Sequence, residues 1–380
     1  MNNTNDPIYF DYNATTPLLP EVVDAMLPYL REHFGNPSSS HVYGKRASAA
    51  VERARHQVAS LIDCNDDELI FTGGVTEANN LAIRGVCGAN QTRRHLVTSV
   101  IEHPATSQPC VWQQSQGFRL TQIGVDGGGR TDLEQARTVI NHETALVTVM
   151  QANNETGVLQ PITELSALAH AVGAIMHTDA AQSVGKVPVS VKELGVDLVS
   201  IAAHKLYGPK GIGALFVKHG VELVPLALGS GQEHGLRSGT ENVASLVGFG
   251  VACEAAARDL DAVATRVREL RNALWQKLSA QVPGLELNGH SELRLPNTLN
   301  VRFPGSSGSR VLAGAPEIAA STGSACHHDH DEASASILAM GIAPHEAIGS
   351  VRLSLGRGTT AEDVATAAEA LVRSWRRVVG

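Results

Sequence analysis

The alternation of strand-like and helix-like segments between residues 68 and 217 constrains the fold most strongly. Seven short segments rich in β-branched and apolar residues alternate with segments whose apolar positions recur at helical spacing. The predicted strands lie near 68–72, 95–100, 119–125, 145–150, 174–179, 197–202 and 213–217. This order is typical of βαβ units and predicts an α/β protein with a mainly parallel sheet covered by helices on both faces. Ligands of such sheets bind beyond the carboxyl ends of the strands.

A long helical pattern at 240–281 then leads the chain away from this layer. The remaining segments predict a smaller α+β domain, with strands at 297–303, 317–324 and 350–355 and helices at 306–314, 333–340 and 361–377. The length of 380 residues also favours two domains. We expect a large domain over 18–240 and a small domain formed by 1–17 and 241–380.

The charge balance disfavours some classes of partner. Lysine and arginine number 30 against 38 aspartate and glutamate, a net charge of −8, and neither sign forms a long run. We therefore expect no direct binding of nucleic acid and no attachment to anionic membranes. The first residues lack the pattern of a secretory signal, and no stretch approaches the ~18 apolar residues of a membrane span, so we predict a cytoplasmic protein.

The distribution of cysteines draws attention to Cys326. The five cysteines form no C-x-x-C pair, which disfavours a disulfide framework or a thiolate zinc site. Cys64, Cys87 and Cys253 lie in or beside apolar helical patterns and are predicted to be small buried residues. Cys326 instead precedes a polar segment, HHDHD at 327–331, which favours an exposed thiol near possible cations.

The segment FTGGVTEA at 71–78 predicts an anion-binding turn. It follows a strand and opens a helix, so that free backbone N–H groups, the Thr76 hydroxyl and the helix dipole meet at one point. It matches neither a P-loop nor a G-x-G-x-x-G motif, which disfavours nucleotide triphosphates and dinucleotides. A turn that needs glycine only for its backbone shape is the alternative.

Two further polar groups follow predicted strands at the same edge of the sheet. Asp179 ends a strand and is suited to hold a cation or a protonated ring nitrogen, with helix capping as the alternative. Lys205 follows the next strand, before a Gly- and Pro-containing loop that could shield it. A shielded lysine has a lowered pKa and reacts as an amine nucleophile, whereas the alternative is a solvated loop lysine.

A phosphate cradle, a carboxylate and a reactive lysine are the three anchors that a pyridoxal phosphate site requires. Here the sequence resembles a known family, the cysteine desulfurases of the class V branch of fold-type I, aspartate aminotransferase-like enzymes. The matching motifs cover nearly the whole chain: YFDYNATTP (9–17), FGNPS (34–38), EH (102–103), NNETG (153–157), DAAQSVG (179–185), HK (204–205), RSGT (237–240), GSAC (323–326) and SVRLSLGR (350–357). The resemblance implies a seven-stranded, mainly parallel sheet in a large domain and a smaller α+β domain that carries the Cys326 loop.

The resemblance assigns eight residues to binding of pyridoxal 5′-phosphate: Thr76, His103, Asn154, Asp179, Gln182, His204, Lys205 and Thr240. It implies that Lys205 bonds the cofactor covalently, Asp179 pairs with the pyridine nitrogen, Gln182 bonds the phenolic oxygen and His103 stacks on the ring. It assigns binding of the phosphate to His204, Thr76 and Thr240. The second of these threonines reaches across from another subunit, which implies a homodimer.

The resemblance also assigns substrate binding and catalysis. Asn13, Asn154 and Arg352 bind the substrate L-cysteine, and Arg352 suits its carboxylate because a guanidinium presents a bidentate fork; Arg357 is the alternative. The catalytic residues are Lys205, His103 and Cys326. Cys326 takes sulfur from cysteine as a persulfide, releases alanine, and passes the sulfur to a protein acceptor in an iron–sulfur, thiolated tRNA or DNA phosphorothioation pathway.

Two departures from the family pattern leave alternatives open. Ala202 and Ala203 stand where a serine often helps to hold the phosphate, and the HHDHD segment replaces small hydroxyl residues. Its imidazoles favour either a solvated loop or, less readily, a metal site shared with Cys326; we predict no metal. The rival functions are selenocysteine lyase, a class V transaminase or epimerase, and a non-enzymatic scaffold.

Overall fold

A computed structural model describes residues 6–90, 92–323 and 332–380. The helices are α1 Pro20–Arg31, α2 Val42–Leu61, α3 Val75–Ala89, α4 Pro104–Ser115, α5 Leu133–Val139, α6 Ile162–Ala171, α7 Val191–Leu194, α8 Val243–Ser279, α9 Gly308–Ala313, α10 Ala335–Ala339, α11 Pro344–Ala347 and α12 Ala361–Val379. The strands are β1 Ile8–Tyr9, β2 Leu69–Thr72, β3 His95–Ser99, β4 Arg119–Ile123, β5 Thr144–Thr148, β6 Ile175–Asp179, β7 Leu198–Ala202, β8 Gly213–Val217, β9 Glu286–Leu287, β10 Thr298–Arg302, β11 Ile318–Ala319 and β12 Ser350–Ser354.

The main sheet has seven strands in the order β2-β8-β7-β6-β5-β3-β4, which confirms the predicted α/β architecture. Strands β4, β3, β5, β6 and β7 are parallel. Strand β8 is antiparallel to both β7 and β2, so β2 runs in the same direction as β7. The carboxyl ends of β2, β6 and β7 therefore meet at one edge of the sheet. That edge brings the turn after Thr72, the end of β6 at Asp179 and the segment leading to Lys205 onto one side.

Apolar side chains cover the sheet, and the two parts of α8 pack against different partners. Residues Val243–Cys253 pack into the cluster beneath the main sheet, whereas Val267, Leu274 and Leu278 pack with β10, β12 and α12. Asp259 lies between the two parts and departs from helical geometry, with φ −136° and ψ 19°. The helix thus joins two layers, although the domain limits at residues 17 and 241 stay a prediction.

A second layer contains an antiparallel sheet in the order β12-β10-β9 and a parallel pair, β1 with β11. The strand predicted at 317–324 is wrong in extent, because only Ile318–Ala319 form it. Its partner β1 has only two residues. Beyond it, Ser321 makes one isolated bridge to Arg352, and the chain turns at Gly323, whose φ of +93° favours glycine.

No helix in the described ranges is long and apolar enough to cross a membrane. The cytoplasmic location inferred from the sequence stays a prediction.

Candidate functional site

The turn between β2 and α3 has the backbone geometry of an anion cradle. Gly74 caps α3 with φ +141°, a conformation that L side chains rarely adopt, and no heavy atom lies within 4 Å of the position its Cβ would take. The first turn of α3 has N–H groups without intrahelical acceptors, at the positive end of the helix dipole. Thr76 lies in this turn and is exposed. The geometry therefore fits an anion, and phosphate remains the predicted ligand.

Asp179 is buried at the end of β6 and is held by two donors. Asn79 Nδ2 donates to its Oδ2 at 2.7 Å, and the Ala181 N–H donates to its Oδ1 at 2.9 Å. Both partners donate, so the two bonds fix the orientation of the carboxylate. Asn79 also donates to Thr106, while its Oδ1 is buried without a hydrogen-bond partner among the described residues. Sequence reasoning missed Asn79, which lies 100 residues from Asp179.

Lys205 follows β7 in a short 3₁₀ turn, Ala203–Lys205. Its Nζ donates to the carbonyl oxygens of Asn13 and Ala14, the latter at 2.8 Å. Burial, followed by the nearby positive charge of Arg352, lowers the pKa of Lys205 to about 8. Near neutral pH a fraction of this amine is therefore unprotonated, which suits the predicted role of Lys205 as a nucleophile.

Two histidines beside Lys205 are held in their neutral form. Burial, followed by the charge of Lys205, lowers the pKa of His204 to about 4; its Nδ1 lies 3.1 Å from Thr15 Oγ1. His103 caps α4, and its Nδ1 accepts the Ala105 N–H at 3.1 Å, which leaves the proton of the neutral ring on Nε2. Burial also lowers the pKa of His103, although the charge of Asp179 opposes the shift.

The motif EH also contains Glu102, which is partly buried next to His103. Burial raises the pKa of Glu102 to about 8. Ser99 and the Met150 N–H donate to the carboxyl group and oppose that shift. Glu102 thereby ties the end of β3 to the segment after β5.

Arg352 on β12 is buried and keeps one donor free. Its Nη2 pairs with Asp11 Oδ1 at 2.6 Å, and its Nη1 donates to the Asn154 carbonyl at 3.1 Å. Its Nε is buried without a hydrogen-bond partner among the described residues. A substrate carboxylate would supply the missing acceptor, because buried polar groups in native structures are nearly always satisfied.

Arg357, the alternative carboxylate ligand, is already engaged. Both of its Nη atoms bond the carboxylate of Asp259, at 2.7 and 2.6 Å, and Nη2 also bonds the Ala255 carbonyl. The bonds lie at the break in α8, so Arg357 joins this break to the turn after β12. The geometry favours Arg352.

Asn13 contacts the site through its backbone, while its side chain is used for internal bonding. Its Nδ2 donates to Thr298 Oγ1 at 2.9 Å and to the Asn154 carbonyl at 3.2 Å. Its Oδ1 accepts from Asn297 at 3.0 Å and from Lys186 at 3.3 Å. A bond from this side chain to substrate would replace one of these contacts, so the arrangement favours a positioning role for Asn13.

Gln182 is buried between Asn13 and a second lysine. Its Nε2 donates to the Asn13 carbonyl at 2.9 Å, and its Oε1 accepts from Lys186 Nζ at 2.8 Å. Burial lowers the pKa of Lys186 well below its usual range, and the charge of Lys205 adds to that shift. Lys186 was not among the predicted site residues, although the motif DAAQSVG ends one residue before it.

Thr240 lies near the cradle of its own chain. It lines a small cavity together with Thr72, Gly73 and Gly211. Whether it also reaches a second subunit, as the resemblance implies, stays a prediction.

The structure brings Lys205, Asn13, Gln182, Asn154 and Arg352 together through the direct contacts described above.

Four cysteines lie in the described ranges, and all have disfavoured thiolates. Cys87, Cys110 and Cys253 are buried and Cys64 is partly buried. Burial raises the pKa of Cys64 and of Cys87 to about 12 and raises the pKa of the other two further above their usual range. Cys326 and the predicted metal-binding alternative at His327, His328 and His330 lie outside the described residues.

Glu155 contacts the chain on both sides of residues 324–331. Its Oε1 accepts from Ser336 Oγ at 3.0 Å, and its Oε2 packs against Gly323, where a Cβ would lie 2.7 Å from it. The motif NNETG contains Glu155, but nothing in the sequence indicated these two contacts.

Comparisons with known proteins agree on the relationship. Residues 8–366 match the family described as Aminotransferase class-V. Cysteine desulfurase IscS of Dictyoglomus turgidum is 43% identical over 360 residues, which cover 94% of this chain and 91% of that protein. A solved structure described as a NifS-like protein has a TM-score of 0.92 and 33% identity, covering 98% of this chain and 100% of its own. The structure of SspA in complex with cysteine has a TM-score of 0.81 and 34% identity, covering 91% of this chain and 98% of its own.

Proposed function

The chain belongs to the class-V aminotransferase family and, within it, to the cysteine desulfurases, and from that premise we propose which of its residues convert L-cysteine to L-alanine. The observation that carries the assignment is the meeting of a nucleophilic Lys205, a held Asp179 carboxylate and the α3 cradle at one edge of the sheet. We assign the cofactor pyridoxal 5′-phosphate to this edge.

The described residues fit that cofactor. The open turn at Gly74 suits the phosphate, with Thr76 and His204 as further ligands. Asp179 suits the protonated ring nitrogen, because its carboxylate is held in a fixed orientation by the Asn79 and Ala181 donors. Gln182 and Asn154 complete the predicted contacts, and His103 suits the face of the ring. Pyridoxal 5′-phosphate, when bound, supplies an aldehyde that bonds amines and a ring that withdraws electrons from the substrate carbon.

The residues around Lys205 then divide the work of proton transfer and binding. Arg352 holds the substrate carboxylate through its Nε, which has no hydrogen-bond partner among the described residues. The similar structure of SspA was solved in complex with cysteine, which supports cysteine as the substrate. The fraction of Lys205 Nζ that is unprotonated, which the lowered pKa increases, takes the proton from the substrate Cα. The neutral His103 has its proton on Nε2 and is suited to donate a hydrogen bond from this atom to the substrate sulfur.

Sulfur transfer requires a thiolate, and we assign this role to Cys326. The four other thiols have raised pKa values, so they are poor nucleophiles near neutral pH. The Cys326 sulfur bonds the substrate sulfur while the substrate C–S bond breaks. The electron pair of the broken C–S bond passes to the carbon skeleton, which gains a proton and leaves as alanine. Cys326 retains the transferred sulfur as a persulfide. A protein acceptor then takes the outer sulfur atom.

We further propose that the enzyme is a homodimer. Several large apolar side chains are exposed in the single chain, among them Phe34 at 78% and Leu228 at 86% exposure, together with Leu30 and Val42. Sedimentation of the intact protein should give twice the chain mass. Phe34→Asp should shift it toward the monomer, whereas Val379→Asp, at an exposed carboxyl-terminal site, should not; a monomeric wild-type protein would contradict the proposal.

The activity is tested with purified full-length protein, L-cysteine and a reductant. We expect alanine and sulfide in equal amounts, with loss of both in Cys326→Ser and retention in Cys64→Ser. Full activity in Cys326→Ser would contradict the assignment of the sulfur carrier. Release of alanine only from selenocysteine would favour the selenocysteine lyase alternative.

A further inference from the structure

The segment 229–242, which carries Arg237 and Thr240, begins with unusual backbone geometry. Glu233 and His234 are consecutive non-glycine residues in the left-handed region, with φ values of 47° and 56°. Such conformations are disfavoured for L side chains and persist only where the surroundings fix them. Strong contacts must therefore hold this segment in place.

The contacts are made by the buried Glu233 carboxylate. Arg55 on α2 donates to both of its oxygens, from Nη1 at 3.0 Å and from Nη2 at 2.8 Å. The Phe71 N–H on β2 adds a third bond, at 2.7 Å to Oε2. Arg55 also donates to the Leu69 carbonyl and stacks over the Phe71 ring. The pair thus fixes segment 229–242 to the strand that leads into the cradle.

A second contact ties the same segment to the other side of the cradle. Arg237 Nε pairs with Glu77 Oε1 at 2.9 Å in the first turn of α3. Glu77 Oε2 in turn accepts the Gly73 N–H at 2.8 Å. The segment is therefore attached before the Gly73–Gly74 turn through Glu233 and after it through Arg237.

We propose that Glu233 is a positioning residue for the phosphate group of the cofactor. Its ion pair with Arg55 holds the end of β2 and the Thr240 segment in the arrangement that the phosphate requires. The inference rests on the proposed binding of pyridoxal 5′-phosphate. Both Glu233 oxygens accept from donors, so an amide at this position would face Arg55 with one N–H₂ group and lose the bidentate pairing.

The test separates phosphate binding from general stability. Full-length Glu233→Gln, freed of cofactor, is titrated with pyridoxal 5′-phosphate and with pyridoxal, which lacks the phosphate. Binding is followed by absorbance of the ligand bonded to Lys205. We expect the affinity for pyridoxal 5′-phosphate to fall about tenfold or more, since hydrogen bonds to charged groups have that weight. The affinity for pyridoxal should stay within about twofold of wild type, because pyridoxal has no phosphate group whose contacts the substitution could weaken.

Two further variants keep the result decisive. Glu222→Gln, at an exposed position, should leave both affinities unchanged. Arg55→Lys keeps the positive charge but not the fork, and should reproduce the phosphate-specific loss if Glu233→Gln does not fold. Equal loss for both ligands, or no loss for either, would overturn the inference. Wild-type protein that binds neither ligand would instead contradict the proposed function.

Discussion

Two sides of the site hold their polar groups in different ways. On the sheet-edge side, formed by Asp179, Lys205 and His103, burial lowers the pKa of Lys205 toward neutral pH and lowers the pKa of His103, which favours its neutral form. On the β12 side, formed by Asn13, Asn154 and Arg352, the contacts are fixed hydrogen bonds and an ion pair to Asp11. The difference supports the proposal that the first side carries out proton transfer and the second recognises the substrate.

The largest expected effect comes from Lys205→Ala. The loss of the Lys205 amine, which is proposed to take the Cα proton at the sheet edge, should lower kcat about 10³-fold or more. Steady-state alanine release measures the change, with Lys277→Ala on the exposed part of α8 as the control. Turnover within tenfold of wild type would contradict the assignment of Lys205 to proton transfer.

The second effect distinguishes the two arginines near the end of β12. Arg352→Gln should raise KM for L-cysteine about 10- to 100-fold, because a charged hydrogen bond to the carboxylate is lost. Arg357→Gln should leave KM unchanged and lower the melting temperature, because it breaks the pair with Asp259 at the break in α8. The reverse pattern would move the carboxylate site to Arg357.

The third effect concerns pH. The amine of Lys205 reacts only when unprotonated, and its pKa is lowered to about 8, so the rate of cofactor binding should rise with pH and level off above 8. An ordinary lysine would level off near its usual value of 10.5. Stopped-flow absorbance between about pH 6 and 11 measures the profile, because this range includes the usual pKa of a lysine. Arg352→Gln should move the plateau to higher pH, since the Arg352 charge contributes to the shift, and an unmoved plateau would show that the two sides are not coupled.

The smallest effect is expected at Asn79. Asn79→Ala removes one donor from Asp179 and should weaken cofactor binding about fivefold, as one net hydrogen bond is worth about 1 kcal/mol. Asn80, at the next position of α3, donates to the Thr76 carbonyl, and Asn80→Ala serves as the control. Equal affinities for the two variants would mean that Asn79 does not support Asp179.

The sequence was sufficient to predict the sheet and the residues at its edge. Alternating segments define βαβ units, and the direction of parallel strands brings Asp179 and the segment before Lys205 to one edge. The shortened strand at Ile318–Ala319 was not predictable from its apolar pattern, because its length depends on the two-residue partner β1.

The partners of the site residues could not be predicted, because they come from distant parts of the chain. Asn79 lies 100 residues from Asp179, and Asp11 lies 341 residues from Arg352. No local spacing indicates such pairs. For Asn13 the motif predicted a role in substrate binding but not the contacts of its side chain. The structure reveals that its amide already bonds Thr298, Asn297 and the Asn154 carbonyl.

The most direct test of sulfur transfer is the location of the persulfide. Full-length protein is treated with one equivalent of L-cysteine, and its free thiols are blocked. The protein is then digested, and the masses of its peptides are measured by mass spectrometry. We predict a mass gain of about 32 Da, one sulfur atom, only on the peptide that contains Cys326, and its absence in Lys205→Ala. Sulfur on Cys64, Cys87, Cys110 or Cys253, or a persulfide on Cys326 in Lys205→Ala, would contradict the account.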